Sequence, residues 1–358
     1  MLNVLLTNDD GIEADGLQAM RRALLELDGV RLAVIAPDGN RSAMARSITT
    51  RRPLWVEEVP FADGTLGFAT DGTPVDCVRL ASLGLVEDFE ADLVVAGINH
   101  GANLGDDITY SGTVAAALEG VVLGLPAIAV SQQSGARALD YRFSGGFGFD
   151  VAAAFVARLV ERIEDVPLPA RTLLNVNVPA GEPGGVEVTS LGKRIYRDEL
   201  KLEREEEHRR RYWIYGSDPG FHDEPGTDLA AVAAGRIAVT PIHFDLTDRP
   251  SLDALRRFDL EGLLAPAARD AGSAIPSRAR WLRIRSTHAR SSSSERTLSS
   301  DSIGSRWRTF SRRPTGSPPT RRVGESALAS SGCSRSIARS SSSSRSYASS
   351  PISGSSST

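Results

Sequence analysis

The chain of 358 residues is 41% apolar and 24% charged, long enough for one large domain or two ordinary ones with a substantial core. Its formal charge of -4 conceals a split: residues 1–270 carry 26 Lys and Arg against 42 Asp and Glu, whereas residues 271–358 carry 15 Arg, no Lys and 3 acids. An acidic main part repels a polynucleotide backbone, and no run of about 18 apolar residues is present, so neither a specific nucleic-acid partner nor a membrane span is expected.

Residues 2–6 form a strand-like run with no basic leader before it, so no secretory signal is read and a cytoplasmic protein is expected. A polar loop follows, and residues 15–27 place Leu17, Met20, Leu24 and Leu25 at helical spacing. Further strands are expected at 32–35, 92–96, 127–130 and 173–178. Helices at about 74–84, 113–123 and 149–163 separate them. Short strands apolar on both faces, alternating with amphipathic helices, predict an α/β fold. That fold is a Rossmann-like, mostly parallel sheet with helices on both faces, over residues 1–184. The thiols Cys77 and Cys333 are too few for a cysteine-based metal site and are expected to be reduced.

From residue 185 the pattern changes. Residues 186–188 and 212–215 read as strands joined by a charged segment at 197–211, residues 237–242 as another strand, and 252–264 as a last helix. A long hairpin with a charged connector does not stabilise itself in water. Residues 185–266 are therefore expected to form a C-terminal hairpin, strand and helix extension that packs on the core or, preferably, on a second subunit. Residues 267–358 lose all periodicity and are rich in Ser, Arg, Pro and Gly, with runs at 291–294 and 340–344. Such a composition buries too little apolar surface to fold, and reads as a disordered tail or a shifted reading frame.

Three polar loops fall at the carboxyl ends of expected strands, where ligands of open α/β sheets bind. The first is Thr7-Asn8-Asp9-Asp10-Gly11. Two adjacent carboxylates favour a nearby hard cation, although the same residues also make an ordinary turn. The second, Asp38-Gly39-Asn40-Arg41-Ser42, adds oxygen donors and one guanidinium. The third is the glycine-rich stretch 97–107, with Asn99, His100 and Asn103, which runs into Ser111-Gly112-Thr113 at the start of a helix. Free N–H groups at such a start can seat a phosphate, or Ser111 or Thr113 can simply cap it. His100 is read as lining the site rather than as a ligand. No HExxH, GxSxG or Walker loop is present, and Gly145-Gly146-Phe147-Gly148 has no strand leading into it.

Together, residues 7–11, Ala36-Pro37-Asp38-Gly39-Asn40-Arg41-Ser42, the GINHGANLGDD stretch at 97–107 and YSGTVAAALEG at 110–120 resemble the signature of the SurE family, the stationary-phase survival proteins that act as metal-dependent nucleotidases. Residues 72–77 and Gly226-Thr227-Asp228 also resemble that pattern, and the likeness spans about residues 1–265. It implies a single divalent ion, Mg²⁺ or Mn²⁺, held by Asp9, Asp10, Ser42 and Asn99. It also implies phosphate contacts around Asn8, Asn103, Ser111, Gly112 and Thr113. The implied reaction is hydrolysis of nucleoside 5′- or 3′-monophosphates, with polyphosphate as an alternative substrate, by dimers or tetramers that exchange C-terminal elements. Asp9 or Asp10 would serve as general base or nucleophile. A nucleotide-binding regulatory module without turnover is the rival reading. The chain departs from the family pattern at Ala43-Met44-Ala45-Arg46-Ser47, where a Gly and a further Asn are usual, and at Asp15, where a Pro is usual.

Overall fold

Leu2–Thr7 forms strand β1, whose last four residues are buried because both faces of the run are apolar. The structure, a computed structural model, describes residues 1–137, 146–197, 199–214 and 220–264. The expected tail and Tyr215 lie outside these residues. Helix α1 (Asp15–Leu25) follows, then β2 (Val30–Pro37), β3 (Val56–Pro60), β4 (Leu66–Thr70) and α2 (Pro74–Ser82). Next come β5 (Leu93–His100), α3 (Gly112–Val122), β6 (Ala127–Gln132), α4 (Asp150–Glu161) and β7 (Thr172–Val178). The last part holds β8 (Val186–Val188), β9 (Arg194–Ile195), β10 (Lys201–Glu206), β11 (Arg209–Trp213), β12 (Gly220–Phe221), α5 (Asp228–Ala233), β13 (Ile237–His243) and α6 (Arg249–Arg256).

Nine strands form one sheet in the order β3-β4-β2-β1-β5-β6-β7-β13-β8. Strands β4, β2, β1, β5, β6 and β7 run parallel, while β3 and β13 pair antiparallel with β4 and β7. Alternation along β1 sends Val4 and Leu6 to one face, against Leu17, Met20 and Leu24 of α1 and Val156 and Val160 of α4. Leu5 faces the other side, with Cys77 and Val78 of α2 and Val114, Ala117 and Val121 of α3. Each fully buried Leu contributes roughly 1.5–3 kcal/mol, so this central strand is held from both faces.

The chain leaves β1 toward β2 and β4 on one side, then returns to β5, β6 and β7 on the other. The crevice between the carboxyl ends of β1 and β5 is therefore the sheet's topological switch point. Asp9 and Asp10 follow β1, and Asn99 lies near the end of β5, so the fold alone brings them to one place.

The α/β expectation holds, with differences in detail. Strands β3 and β4 were not expected. Their residues are short and mixed in polarity, since β3 is a sheet edge with mostly exposed positions. Strand β5 runs on to His100 after an irregularity between Ala96 and Asn99, so part of the expected third loop is strand. Residues 186–188 do not form a hairpin with 212–214. They join the main sheet beside β13, and the charged segment itself folds as the β10–β11 hairpin. The last helix ends at Arg256, and a separate turn of 3₁₀-helix covers Glu261–Leu264; neither buries a residue.

The Gly226-Thr227-Asp228 motif has a structural explanation. Thr227 caps α5 by accepting from the Ala230 amide. Asp228, fully buried, accepts from the amides of Gly105 (2.8 Å), Gly192 (2.7 Å) and Leu229 (2.8 Å). One carboxylate thus ties the loop after β5 to the segment before β9.

Candidate active site

The loop after β1 is rigid because Asn8 spends its side chain on it. Its Nδ2 donates to the Gly11 carbonyl at 2.9 Å and its Oδ1 accepts from the Gly11 amide at 3.2 Å. Gly11 has φ of +112°, and a Cβ there would stand 3.0 Å from Gly39 Cα, so the first two loops touch through their glycines. Asn8 is fully buried with both amide atoms committed. Its side chain shapes the loop and is not part of the cavity lining.

Asp9 is buried against the start of α3. Its Oδ1 accepts from the Thr113 hydroxyl at 2.5 Å, and a Cβ on Gly112 would lie 2.8 Å from its Oδ2. Gly112 is therefore needed for the helix to approach the carboxylate. Ser111 caps α3, accepting from the Val114 amide at 3.1 Å. Thr113 is wholly buried and committed to Asp9, so of these three only Ser111 lines the cavity described below. Asp10 accepts from the His100 amide at 3.0 Å and from Asn40 Nδ2 at 3.2 Å. The Asn40 Oδ1 in turn accepts from the Ser42 amide at 2.9 Å, so Asn40 links the Ser42 loop to Asp10.

Burial pushes both carboxyls above the ordinary range, and the neighbouring Asp10 charge raises Asp9 further; the Thr113 hydrogen bonds only partly offset this. Among the described residues neither forms an ion pair, since Arg41 beside them is taken by Asp38 at 2.6 Å. Asp9, Ser42, Asn99, His100, Asn103 and Ser111 line one cavity of about 470 Å³. Asn99 donates through Nδ2 to the Gly101 carbonyl at 2.7 Å, which leaves its Oδ1 as an acceptor. Asn103 is fixed from three sides. It donates through Nδ2 to Ser131 Oγ (2.8 Å), its amide donates to Asn177 Oδ1 (2.8 Å), and its carbonyl accepts from Asn175 and Asn177 (3.0 Å each). Two carboxylates without an ion-pair partner among the described residues, plus hydroxyl and amide oxygens, fit a hard divalent ion. Among the described residues no group of three or more His, Cys, Asp or Glu is placed to hold a metal, so a cation here would rely on hydroxyl and amide oxygens beside the two carboxylates.

His100 accepts from the Gly16 amide through Nε2 at 3.3 Å and stacks on Phe147 and Phe149, with centroids at 5.2 and 4.9 Å. Burial lowers its pKa, which keeps it neutral and suits its place as a wall. The Ser42 loop is held farther along by Arg46, which reaches the buried Glu119 of α3 at 2.6 Å; Arg79 of α2 meets the same carboxylate at 2.7 Å. Ala43 and Ala45 have φ of 58° and 51°, left-handed values costing roughly 1–2 kcal/mol each for a residue with a Cβ. Ala43 stands where the SurE pattern has Gly, so the clamp on Arg46 holds a loop that its own backbone disfavours.

Several cavity residues were not singled out in the sequence. Asp107, Tyr110, Tyr196 and Ile214, with Ala43, complete the lining. Asp107 pairs with Arg194 Nε at 2.6 Å, with both side chains buried, and accepts from the Tyr196 hydroxyl at 2.9 Å. Tyr196 and Ile214 come from the charged C-terminal stretch, where nothing in spacing marks a ligand contact. A second cavity of about 420 Å³, lined by Phe155, Leu159, Val166, Pro167, Arg158, Arg162 and Asp165, has no comparable donor set.

The family model described as Survival protein SurE matches residues 4–198. The protein called 5′-nucleotidase SurE from Rubrobacter xylanophilus is 52% identical over 267 residues, covering 74% of this chain and 99% of that protein. Its namesake from Geobacter sulfurreducens is 44% identical over 277 residues, covering 76% of this chain and 100% of that protein. Among solved structures, the SurE protein from Aquifex aeolicus is similar at a TM-score of 0.60 and 37% identity, over 71% of this chain and 98% of that one.

A carboxyl whose pKa is raised in the folded state binds its proton more tightly there than in the unfolded chain. Stability is therefore lowest where Asp9 and Asp10 are both ionised, and it rises as pH falls through the raised values toward about 4. Melting in EDTA should show a gain of about 1–3 kcal/mol between pH 8 and pH 5. Saturating Mg²⁺ or Mn²⁺ should remove most of that gain by stabilising the pH 8 protein. A metal-free protein whose stability is flat or falls over this interval contradicts the strained pair.

Proposed function

The chain belongs to the SurE family, and from that premise we propose that it is a 5′-nucleotidase, hydrolysing nucleoside 5′-monophosphates to nucleoside and phosphate. The observation that carries the reading is the desolvated Asp9–Asp10 pair, without an ion-pair partner among the described residues, with Asp9 lining a cavity within the roughly 300–1,000 Å³ span of small-molecule sites. One divalent cation per subunit, Mg²⁺ or Mn²⁺, would be held by Asp9, Asp10, Ser42 and Asn99. When bound, it supplies charge neutralisation for the phosphate and an acidified water.

The chain's own residues do the rest. Asp9 lines the cavity, while both oxygens of Asp10 carry hydrogen bonds from His100 and Asn40. Asp9 is therefore the carboxylate placed to take the proton from the attacking water, and Asp10 positions the loop and shares the cation. Asn103 and Ser111 orient the phosphate, the former from a side chain locked by Ser131. Asn175 and Asn177 of β7 support Asn103 from behind.

Residues 1–184 form the catalytic part in this reading and residues 185–266 the extension. Among the described elements the β10–β11 hairpin contacts chiefly itself, through ion pairs such as Glu205–Arg210 at 2.6 Å and Glu203–Arg211 at 2.9 Å. Exposed pairs of this kind contribute little. Leu200, Leu202 and Trp213 are also exposed on or beside it. We assign this face to a second copy of the chain, in a dimer or tetramer. No helix among the described residues is long and apolar enough to cross a membrane; a cytoplasmic site of action is part of this proposal.

Phosphate release should be measured from a panel of nucleoside 5′- and 3′-monophosphates and polyphosphate, in EDTA and after adding Mg²⁺ or Mn²⁺. Turnover of 5′-monophosphates that needs the metal is expected, and Asp9→Asn should lower kcat by at least about a hundredfold while the protein stays folded. Turnover undiminished in EDTA, or by Asp9→Asn with metal supplied, contradicts the mechanism. For assembly, light scattering should find an oligomer that Leu202→Glu with Trp213→Glu dissociates. A monomeric parent protein refutes the assignment of that face.

A further inference from the structure

The floor of the cavity is accounted for by metal and phosphate chemistry, but its outer wall is not. That wall consists of Tyr110, Tyr196 and Ile214, each roughly half exposed at 54%, 43% and 55%. They come from three separate places: the turn before α3, the residue after β9, and the residue after β11. Exposed aromatic and aliphatic groups at a cavity mouth gain free energy when a flat apolar partner covers them.

The anchoring of Tyr196 is more elaborate than an incidental surface ring requires. Its hydroxyl donates to Asp107 at 2.9 Å, and Asp107 is paired at 2.6 Å with Arg194, two residues back in the chain. The Arg194 amide also donates to Asp106 at 3.1 Å. Burial and the donation to Asp107 hold the Tyr196 hydroxyl firmly protonated, so it remains a donor across the working pH range. The hydroxyl is thereby fixed while the residue as a whole stays 43% exposed. Tyr110 lines the same cavity as Tyr196, and its carbonyl accepts from the Ala45 amide at 3.1 Å in the Ser42 loop. Both rings are therefore tied to the elements that carry the cavity floor.

We propose that Tyr110 and Tyr196, with Ile214 beside them, form the nucleobase wall of the cavity, so that the C-terminal extension supplies half of the substrate site. The inference rests on the nucleotidase reading and names the part of the substrate that this wall takes. Stacking on a π-face does not read base edges, and the wall offers only one uncommitted polar group, the Tyr110 hydroxyl. The wall thus distinguishes a nucleotide from a base-less phosphate ester more strongly than one base from another.

The test compares kcat/KM for AMP with kcat/KM for ribose 5-phosphate in the full-length, metal-loaded protein. The parent protein should prefer AMP. Tyr196→Ala and Tyr110→Ala should each cut that preference by about tenfold, mainly through KM for AMP, as loss of one stacking face implies. Tyr196→Phe, which keeps the ring, should retain most of the preference. A merely structural role would lower both substrates together and leave the ratio unchanged, which overturns the proposal. So does a parent protein that turns over both esters equally, although that result leaves the phosphatase reading standing. A Tyr196→Phe variant as indifferent to the base as Tyr196→Ala also refutes it, because the hydroxyl rather than the ring would then matter. Turnover of neither ester defeats the nucleotidase reading itself.

Discussion

Two carboxylates on consecutive residues, both drawn out of water at the end of a central strand, are the constraint around which this protein is organised. In bulk solvent their repulsion would be small. At the start of α3, with the Gly112 backbone pressed on one side of Asp9 and the wall of His100 nearby, desolvation magnifies it. The surrounding hydrogen bonds from Thr113, His100 and Asn40 reduce the cost but supply no positive charge. A site in this state gains most from a divalent ion, and the energy held against ionisation is returned when the ion binds.

The fold makes that arrangement unavoidable. Reversal of strand order about β1 and β5 leaves a crevice at their carboxyl ends. The asparagines of the site are then locked by neighbours in the sheet: Asn103 by Asn175, Asn177 and Ser131, and Asn40 between Asp10 and Ser42. Because these partners sit on strands or short tethered loops, the donor set keeps its position without the ion. Asp228 and Arg194 extend the same principle to the C-terminal part, tying it back to the loop after β5.

Much of this was legible in the sequence. The apolar runs at β1, β2, β5, β6 and β7 are short and continuous because both sheet faces are covered, and that pattern distinguishes a parallel sheet from other strands. The loops holding Asp9, Ser42 and Asn99 were found from their polarity and their place after strands. The roles of single residues were not readable in the same way. Asn8 and Thr113 look like ligand groups in a motif, yet their side chains are consumed by Gly11 and Asp9. Edge strand β3 escaped because its mostly exposed residues carry no strong period, and β4, between β3 and β2, because five residues are too few to show one. Tyr196 escaped because its significance depends on Asp107, 89 residues away. Contacts across such separations leave no trace in local spacing.

The central claim is that the Asp9–Asp10 pair is built to hold one hard divalent cation with Ser42 and Asn99. It is tested most directly by anomalous diffraction from crystals grown with Mn²⁺. The account predicts one strong peak per chain, bounded by oxygens of Asp9, Asp10, Ser42 and Asn99 at about 2.0–2.3 Å, and its loss in Asp9→Asn crystals. An ordered Mn²⁺ bound elsewhere in the chain, with these four residues free of metal at saturating concentration, would contradict it.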